Sequence, residues 1–293
     1  LSFVRQAAEV RELKQMARER NASTRIIAKL EKPEAIENLE EIIQAADGVM
    51  VARGDLGVEM APEEVPLLQK KIIKTANRMG KLVITATQML ESMTFTQRPT
   101  RAEASDVANA VLDGSDALML SGETASGQNP LLALQMMARI IEEVEVATDS
   151  GWTNVRRIER GAATEFPPVI CEAAAHAAAA LGAKAIACFT ETGNTARLLS
   201  NFRPPVPIIA FAAEKYIARQ LNLSWGLSPH IIERSDNTDV MLAHADEYLL
   251  RSGLVSMGDT VVVTMGAPVA CYGSTNTMKL HRIGTEAPVA PLS

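Results

Sequence analysis

The chain has 293 residues and a net charge of −6; 47% of the residues are hydrophobic, 22% charged and 4% aromatic, which is typical of a globular chain with room for two domains. The modest acidic charge argues against a nucleic-acid partner. No apolar run is long enough to span a bilayer, so no membrane partner is expected. Three separated cysteines (Cys171, Cys188, Cys271) without a CxxC pair predict reduced, buried thiols in a cytoplasmic protein.

The first half of the chain, residues 1–149, alternates strand-length apolar runs with longer amphipathic segments. The predicted strands are Ile26–Leu30, Gly48–Ala52, Leu82–Ala86 and Ala117–Leu120, with the end of an earlier strand at Ser2–Val4. The predicted helices are Val10–Arg20, Pro33–Ala46, Pro62–Met79, Thr100–Leu112 and Pro130–Thr148. A regular β–α rhythm with nearly continuous apolar strands indicates a parallel sheet covered by helices.

Charged and hydroxyl residues recur at the C-terminal ends of successive predicted strands. A doubly wound sheet and a (β/α)8 TIM barrel share the β–α rhythm, but catalytic groups contributed by many strand ends are typical of the barrel. Only four strands and the tail of a fifth are present, so the sequence predicts a partial barrel.

A second α/β pattern follows a polar, glycine-containing linker at 150–166. The domain predicted for residues 167–293 is of the open-sheet kind. Its predicted strands are Ala185–Phe189, Ile208–Phe211, Leu227–Ile231, Thr260–Thr264 and one near Thr277–Arg282. Its predicted helices are Pro168–Leu181, Thr195–Asn201, Glu214–Leu221 and Thr238–Ser252.

Two strand ends carry residues suited to phosphoryl chemistry. Lys29 and Glu31 lie two residues apart and are expected to face the same side of the first complete strand. A lysine can balance phosphoryl oxygens while a glutamate holds Mg²⁺; a solvated ion pair is the alternative. After the next strand, Asp55 is a hard-oxygen Mg²⁺ ligand, and backbone N–H groups around Gly54 are candidates to bind a carboxylate. The alternative for this segment is an ordinary βα turn that contains a glycine.

Hydroxyl and carboxyl groups also end the two later strands. Thr85 and Thr87 are predicted to share a strand face, where a hydroxyl can position or shuttle a proton, although threonine is common in strands for other reasons. Ser121 and Glu123 end the last strand beside a glycine, as part of a phosphate or nucleotide site or as a helix-capping turn.

One loop of the second domain suits an anion. Hydroxyl groups and a glycine stand before a predicted helix, where backbone N–H groups can bind phosphate; simple N-capping by Thr192 or Asn194 is the alternative. The candidate residues are Thr190, Thr192, Gly193, Asn194 and Thr195.

The order of these segments carries a family resemblance. Met50–Gly57, Ala86–Ser92 and Arg98–Glu103 resemble signature stretches of pyruvate kinases, and the resemblance covers essentially all 293 residues. It implies a barrel present from the end of strand 4 to strand 8, followed by the family's C-terminal regulatory domain. It also implies transfer of the phosphoryl group of phosphoenolpyruvate to ADP, giving pyruvate and ATP in glycolysis.

The resemblance also implies residue roles. Lys29 is similar to the lysine that stabilises the transferring phosphoryl group and the enolate, and Thr87 to the hydroxyl implicated in the proton step. Glu31 and Asp55 are similar to the ligands of the divalent metal, Mg²⁺ or Mn²⁺. The implied substrate-binding residues are Lys29, Ala52, Arg53, Gly54, Asp55 and Thr87, with the carboxylate held by the backbone of residues 52–54.

Further partners are implied by resemblance alone. Many members are homotetramers that use K⁺ and bind a sugar-phosphate or nucleotide effector at the loop described above, closed by Gly273–Thr277. Asn194 replaces an arginine found in that loop of many activated members, which weakens the expectation of tight effector binding; Arg197 or Arg203 is a possible substitute.

Segments that the family places before this sequence lead to a further expectation. The first three barrel strands and a lid domain carry a phosphate-binding arginine, the monovalent-cation ligands and much of the nucleotide site. We therefore expect this chain by itself to be an inactive fragment. The alternatives are a non-catalytic regulatory or interaction protein derived from pyruvate kinase, and another Mg²⁺-dependent barrel enzyme such as an aldolase, which the long matching runs disfavour.

Overall fold

The computed structural model describes residues 1–20, 22–147, 165–267 and 275–284. Two compact units divide the chain, Leu1–Thr153 and Asn154–Ser293, and each is described by itself. The predicted linker, 150–166, lies almost entirely outside the described residues, as does Cys271. The predicted domain boundaries stay a prediction. No helix of the described residues is long and apolar enough to cross a membrane.

The first unit is built on a parallel sheet whose four strands lie in chain order. They are β1 (Ile27–Leu30), β2 (Gly48–Ala52), β3 (Leu82–Ala86) and β4 (Ala117–Met119). Their C-terminal ends therefore meet at one edge. A strand order that never reverses is that of a barrel segment, whereas a doubly wound sheet reverses at a switch point. The parallel sheet predicted from the β–α rhythm is confirmed.

One helix of the first unit, α1 (Ala7–Glu19), precedes β1, and the others follow the strands. These others are α2 (Pro33–Glu37), α3 (Leu39–Ala45), α4 (Arg53–Glu59), α5 (Val65–Arg78), α6 (Arg101–Asp113), α7 (Gly122–Ala125) and α8 (Pro130–Ala147). Helix α6 shows how local sequence sets both helix ends. Thr100 and Glu103 form a reciprocal capping box at its start, and Gly114 ends it at φ 101°.

Several elements differ from the predictions. The predicted helix Pro33–Ala46 is two helices, because Asn38 leaves helical geometry and its side chain donates to Glu34 O and Arg5 O. Helices α4 and α7 were predicted as turns. Helix α4 contains two glycines and has low intrinsic helix propensity; its Leu56 is fully buried in the core, so tertiary packing supplies what the local sequence lacks.

The second unit is an open five-stranded sheet in the order β7-β6-β5-β8-β9. Its strands are β5 (Ile186–Phe189), β6 (Ile208–Ala212), β7 (Leu227–Ile231), β8 (Thr260–Met265) and β9 (Thr277–Arg282). Its helices are α9 (Phe166–Leu181), α10 (Asn194–Phe202), α11 (Lys215–Leu221) and α12 (Thr238–Arg251). Only β9 is antiparallel to its neighbour. The predicted open-sheet α/β architecture is confirmed.

Two of the cysteines lie in the core of the second unit. Cys171 and Cys188 are free thiols with no exposed surface. Burial raises the pKa of Cys171 far above its ordinary value and that of Cys188 to about 12. Both therefore stay protonated and unreactive at neutral pH, as the sequence predicted for these two positions.

Asp47 joins α1 to the start of β1. Its carboxylate accepts hydrogen bonds from Lys14 Nζ (2.9 Å) and Ile26 N–H (2.8 Å), with Arg25 close by. Burial by itself raises the pKa of Asp47, but these donors and cations outweigh burial and lower it below the ordinary value. The charged form therefore stabilises the fold above about pH 4, and that contribution is lost as the pH falls through the lowered pKa.

We expect Asp47→Asn to lower the free energy of unfolding by about 1–3 kcal/mol at pH 7. Urea unfolding of both proteins should show this difference narrowing below about pH 4, where the wild-type carboxylate is also neutralised. Glu12→Gln, the same change at an exposed position of α1, is the matched control. A difference that stays constant with pH would mean that the charge of Asp47 contributes nothing.

Candidate active site

The polar groups predicted at the first two strand ends come together in space. Lys29 Nζ lies 2.8 Å from Glu31 Oε2 and 3.9 Å from Asp55 Oδ2. Glu31 follows β1, and Asp55 lies in the first turn of α4, directly after β2. Glu31 has 0% of its surface exposed, so the pair is not the solvated ion pair that the sequence left open.

Glu31 is held in place by the start of the chain. Its Oε1 accepts a hydrogen bond from Phe3 N–H (2.6 Å), while Lys29 N donates to Leu1 O (2.9 Å). The predicted strand end at Ser2–Val4 therefore runs beside β1, although it has no strand geometry of its own. Burial raises the pKa of Glu31, but the Lys29 ammonium and the Phe3 N–H outweigh it and keep that pKa below its ordinary value.

The two carboxyl groups fit a divalent cation. Glu31 Oε2 is buried, and the Lys29 ammonium lies 2.8 Å from it. Burial, then the hydrogen bond and charge of Glu31, raise the pKa of Asp55, because two converging carboxylates disfavour each other's charge. Two carboxylates that share the Lys29 ammonium are hard oxygen ligands of the kind that suits Mg²⁺ or Mn²⁺.

The protein supplies few ligands to such a cation. Within the described ranges no three His, Cys, Asp or Glu side chains group together as a metal site. Glu31 and Asp55 would therefore leave most coordination positions to water and to substrate oxygens, which is how Mg²⁺ is usually held at phosphoryl-transfer sites.

Thr87 stands at the end of the third strand in an unusual backbone conformation. It lies just past β3, and its φ is 71°, with 52° at Gln88. A β-branched residue with positive φ is strained. The Thr87 hydroxyl accepts from Gly54 N–H (2.7 Å) and donates to Ala86 O (2.6 Å).

The pairing of Thr85 with Thr87 on one strand face is not observed. Thr85 is fully buried, and its hydroxyl is hydrogen-bonded to Ser115 (2.7 Å). Thr87 lies outside the strand, where the left-handed turn sets the direction of its side chain. Local β-propensity therefore explains Thr85, and only Thr87 reaches the site.

Glu123 acts as a clamp between two turns. Its carboxylate accepts from Leu90 N–H (3.1 Å) and Ser121 N–H (2.7 Å), and it is almost completely buried. Backbone groups thus use both oxygens, which favours the capping interpretation of Ser121 and Glu123. The clamp joins the turn after β4 to the turn that carries Thr87.

The groups that surround Arg53 carry no signal in the sequence. Its guanidinium donates to Asp106 Oδ1 (2.6 Å) on α6 and Gln69 Oε1 (3.3 Å) on α5. Asp106 lies within the predicted helix Thr100–Leu112, where no periodicity distinguishes it from its neighbours. The hydrogen bond from Phe3 N–H to Glu31 likewise has no signal in the sequence.

The loop of the second unit is satisfied by its own side chains. Thr190 Oγ1 accepts from Gly193 N–H (3.0 Å) and Thr192 Oγ1 from Asn194 N–H (3.4 Å). Gly193, at φ 79°, is the N-cap of α10, so the predicted caps Thr192 and Asn194 flank the actual one. Thr195 and Thr275 share a hydroxyl–hydroxyl hydrogen bond, although part of the predicted closing loop, Gly273–Thr277, lies outside the described residues.

The two candidate substitutes for the missing loop arginine have other contacts. Arg197 Nη2 donates to Thr192 O (3.0 Å), and the Arg203 guanidinium stacks over Trp225 at 4.8 Å. Arg197 therefore braces the loop from the helix side. Whether either arginine binds an effector stays a prediction.

Family models match both units. The model described as pyruvate kinase, barrel domain matches residues 1–134, and the model described as pyruvate kinase, alpha/beta domain matches residues 169–281. The chain belongs to the pyruvate kinase family. This confirms the predicted partial TIM barrel followed by an α/β domain, and it leaves no support for the aldolase alternative.

Named relatives agree with this membership. Pyruvate kinase of Mycobacterium tuberculosis is 48% identical over 288 residues, which are 98% of this chain and 60% of the relative. Pyruvate kinase of Sporosarcina psychrophila is 46% identical over 286 residues, 97% of this chain and 48% of the relative. The chain thus spans about half the length of the relatives it matches.

A solved structure shares the fold. The crystal structure of a pyruvate kinase from Cryptosporidium parvum matches 96% of this chain and 57% of that one, with a TM-score of 0.86 and 38% identity. The barrel assignment therefore has support from structure as well as from sequence.

Proposed function

We propose that the native polypeptide containing this sequence is a phosphotransferase that moves the phosphoryl group of phosphoenolpyruvate to ADP, giving pyruvate and ATP in cytoplasmic glycolysis. The observation that carries the proposal is the convergence of Lys29, buried Glu31 and Asp55 at adjoining strand ends. Thr87, after the third strand, touches the same turn through Gly54 N–H. One cation, two metal-binding carboxylates and one hydroxyl are the groups that phosphoryl transfer and enolate protonation require.

In this proposal Glu31 and Asp55 hold Mg²⁺ or Mn²⁺, which when bound supplies Lewis-acid neutralisation of phosphoryl and enolate oxygens. With a cation between the two carboxylates, Lys29 would be released from Glu31 and Asp55 and its ammonium would face the same oxygens. Positioned charge of this kind is the main source of rate enhancement in phosphoryl transfer. We also propose that the native protein requires K⁺, as the family does.

Two further roles fall to the backbone and to Thr87. The first N–H groups of α4 have no carbonyl partner within the helix, and we assign the backbone around Ala52, Arg53 and Gly54 to the substrate carboxylate. The Gly54 N–H already donates to Thr87 Oγ1 (2.7 Å), so the carboxylate would share this group with Thr87. The Thr87 hydroxyl, held between a donor and an acceptor, is assigned to the proton that reaches the enolate carbon. Its two hydrogen bonds give the hydroxyl a defined orientation before substrate binds.

The test is turnover by the purified native polypeptide. With phosphoenolpyruvate, ADP and Mg²⁺, we expect ATP and pyruvate in equal amounts, followed by luciferase light and by reduction of pyruvate with NADH. Omitting ADP or adding EDTA should abolish both products. Absence of turnover in a folded protein that still binds sugar phosphates would support the non-catalytic regulatory alternative instead.

We also propose an effector site and an oligomeric state for the native protein. A sugar-phosphate or nucleotide effector would bind the loop formed by Thr190, Thr192, Gly193, Asn194 and Thr195. Because threonine hydroxyls already occupy two of the loop N–H groups, an incoming phosphate must replace them, which favours weak binding. A homotetramer is proposed for the native protein.

A further inference from the structure

Arg53 is placed beside the proposed site, yet its guanidinium faces the protein interior. Only 11% of the side-chain surface is exposed, and every nitrogen of the group has a partner. Nε donates to Ala86 O (3.3 Å), Nη1 to Gln69 Oε1 (3.3 Å) and Asp106 Oδ1 (2.6 Å), and Nη2 to Thr87 O (2.7 Å) and Met89 Sδ (2.8 Å). A guanidinium saturated in this way is not available to a substrate anion.

The acceptors are concentrated on one strained turn. The carbonyls of Ala86 and Thr87 flank the residue whose φ is 71°, and Met89 follows two positions later. Left-handed backbone at a threonine is strained and persists only where its surroundings impose it. Charge-assisted hydrogen bonds from an arginine fork, fixed in turn by Asp106, are strong enough to do so.

The neighbouring residue completes the hold on Thr87. Arg53 binds the Thr87 carbonyl, and Gly54 N–H binds the Thr87 hydroxyl at 2.7 Å. One dipeptide after β2 therefore fixes both the peptide plane and the side chain of a residue after β3. If the turn relaxed to negative φ, the hydroxyl would leave Gly54.

We propose that Arg53 is a positioning residue that holds the strained Thr87–Gln88 turn, so that the Thr87 hydroxyl keeps its place beside Gly54 at the proposed site, and that the Arg53 side chain does not bind substrate. The catalytic part of this inference rests on the proposed function. The bracing part does not, because it concerns only the conformation of the turn. The two parts can therefore fail separately.

The amide of Gly54 offers a readout independent of turnover. It lies in the first turn of α4, where no helical carbonyl is available, and its acceptor is Thr87 Oγ1. We expect Arg53→Lys, which keeps the charge but loses the fork, to raise hydrogen exchange at the Gly54 amide. Thr87→Val, which removes the acceptor, should raise it as well. Arg78→Lys, at an exposed ion pair with Glu40, is the matched control.

Kinetics of the native polypeptide then test the consequence. We expect Arg53→Lys to lower kcat roughly tenfold to a hundredfold, the scale of a misplaced catalytic group, with KM for phosphoenolpyruvate close to the wild-type value. In a Thr87→Val background the same change should have little further effect, since a positioning residue acts through the group that it positions.

The outcomes separate the two ideas. If Arg53→Lys leaves both hydrogen exchange at Gly54 and kcat unchanged, Arg53 does not hold the Thr87 turn. If Arg53→Lys raises KM and leaves kcat normal, the proposal is overturned in favour of direct substrate binding by the Arg53 side chain. If Arg53→Lys raises exchange at Gly54 but the native polypeptide has no turnover, the proposed function is wrong and the role of Arg53 in holding the Thr87 turn is right. If Arg53→Lys does not fold, Asp106→Asn replaces it, and unchanged exchange and kcat in that variant overturn the brace.

Discussion

Replacing Lys29 by methionine is expected to lower kcat for pyruvate formation by about a hundredfold to a thousandfold, the usual cost of removing one preorganised charge from a transition state. Methionine keeps an unbranched apolar chain that ends where the lysine ammonium begins. The ammonium of Lys29 lies 2.8 Å from Glu31 and 3.9 Å from Asp55. It is therefore beside the carboxylates that we propose to hold the cation, and close to the proposed place of the phosphoryl and enolate oxygens. Steady-state kinetics with phosphoenolpyruvate and ADP measure the loss.

A matched control separates this effect from general loss of positive charge. Lys74→Met makes the same change at an exposed position of α5 and should leave kcat and KM unaltered. If Lys29→Met raises KM and leaves kcat unchanged, Lys29 contributes equally to substrate and transition-state binding, and its proposed role in the chemical step is wrong.

The second large effect concerns the carboxylate pair. Glu31→Gln and Asp55→Asn, each nearly isosteric, are expected to weaken Mn²⁺ binding and activity by at least about a hundredfold, since even partners of metal ligands cost ten- to a hundredfold. Each variant removes one of only two protein ligands, and an amide does not carry the charge that Glu31 Oε2 offers. Titration of free Mn²⁺ by electron paramagnetic resonance measures the affinity without any turnover.

Glu34→Gln provides the comparison for this pair. It lies three residues after Glu31 on α2, with half of its side chain exposed and an ion pair to Arg5, and should bind Mn²⁺ like the wild type. Normal Mn²⁺ affinity in both site variants would show that Glu31 and Asp55 form a structural pair and that the cation is held elsewhere.

Strand positions and several helix ends could be predicted because they depend on neighbouring residues. Gly48–Ala52 and Leu82–Ala86 are strands with the predicted bounds, since a continuous apolar run forms a buried parallel strand in many contexts. The capping box at Thr100 and Glu103 is likewise a contact across three residues. The spacing of Lys29 and Glu31 was sufficient to place both groups at one strand end.

Other features arise between residues far apart in the chain. Arg53 and Asp106 are 53 residues apart, and neither spacing nor composition pairs them. The left-handed backbone of Thr87 contradicts the preference of a β-branched residue, so local sequence predicted a strand position there. Helix α4 similarly contradicts its two glycines, because burial of Leu56 supplies stability that helix propensity does not.

By itself the sequence determined the order of strands and helices, the family of the chain and the identity of the candidate site residues, because these follow from apolar periodicity, helix capping and short contiguous motifs. Only the tertiary structure decided that Glu31 is buried beside the Lys29 ammonium, that Thr85 is buried and bonded to Ser115, and that the Arg53 guanidinium binds the Thr87 turn. These outcomes depend on desolvation and on hydrogen bonds between segments that are distant in the chain, and local sequence patterns do not predict which of those segments contact each other.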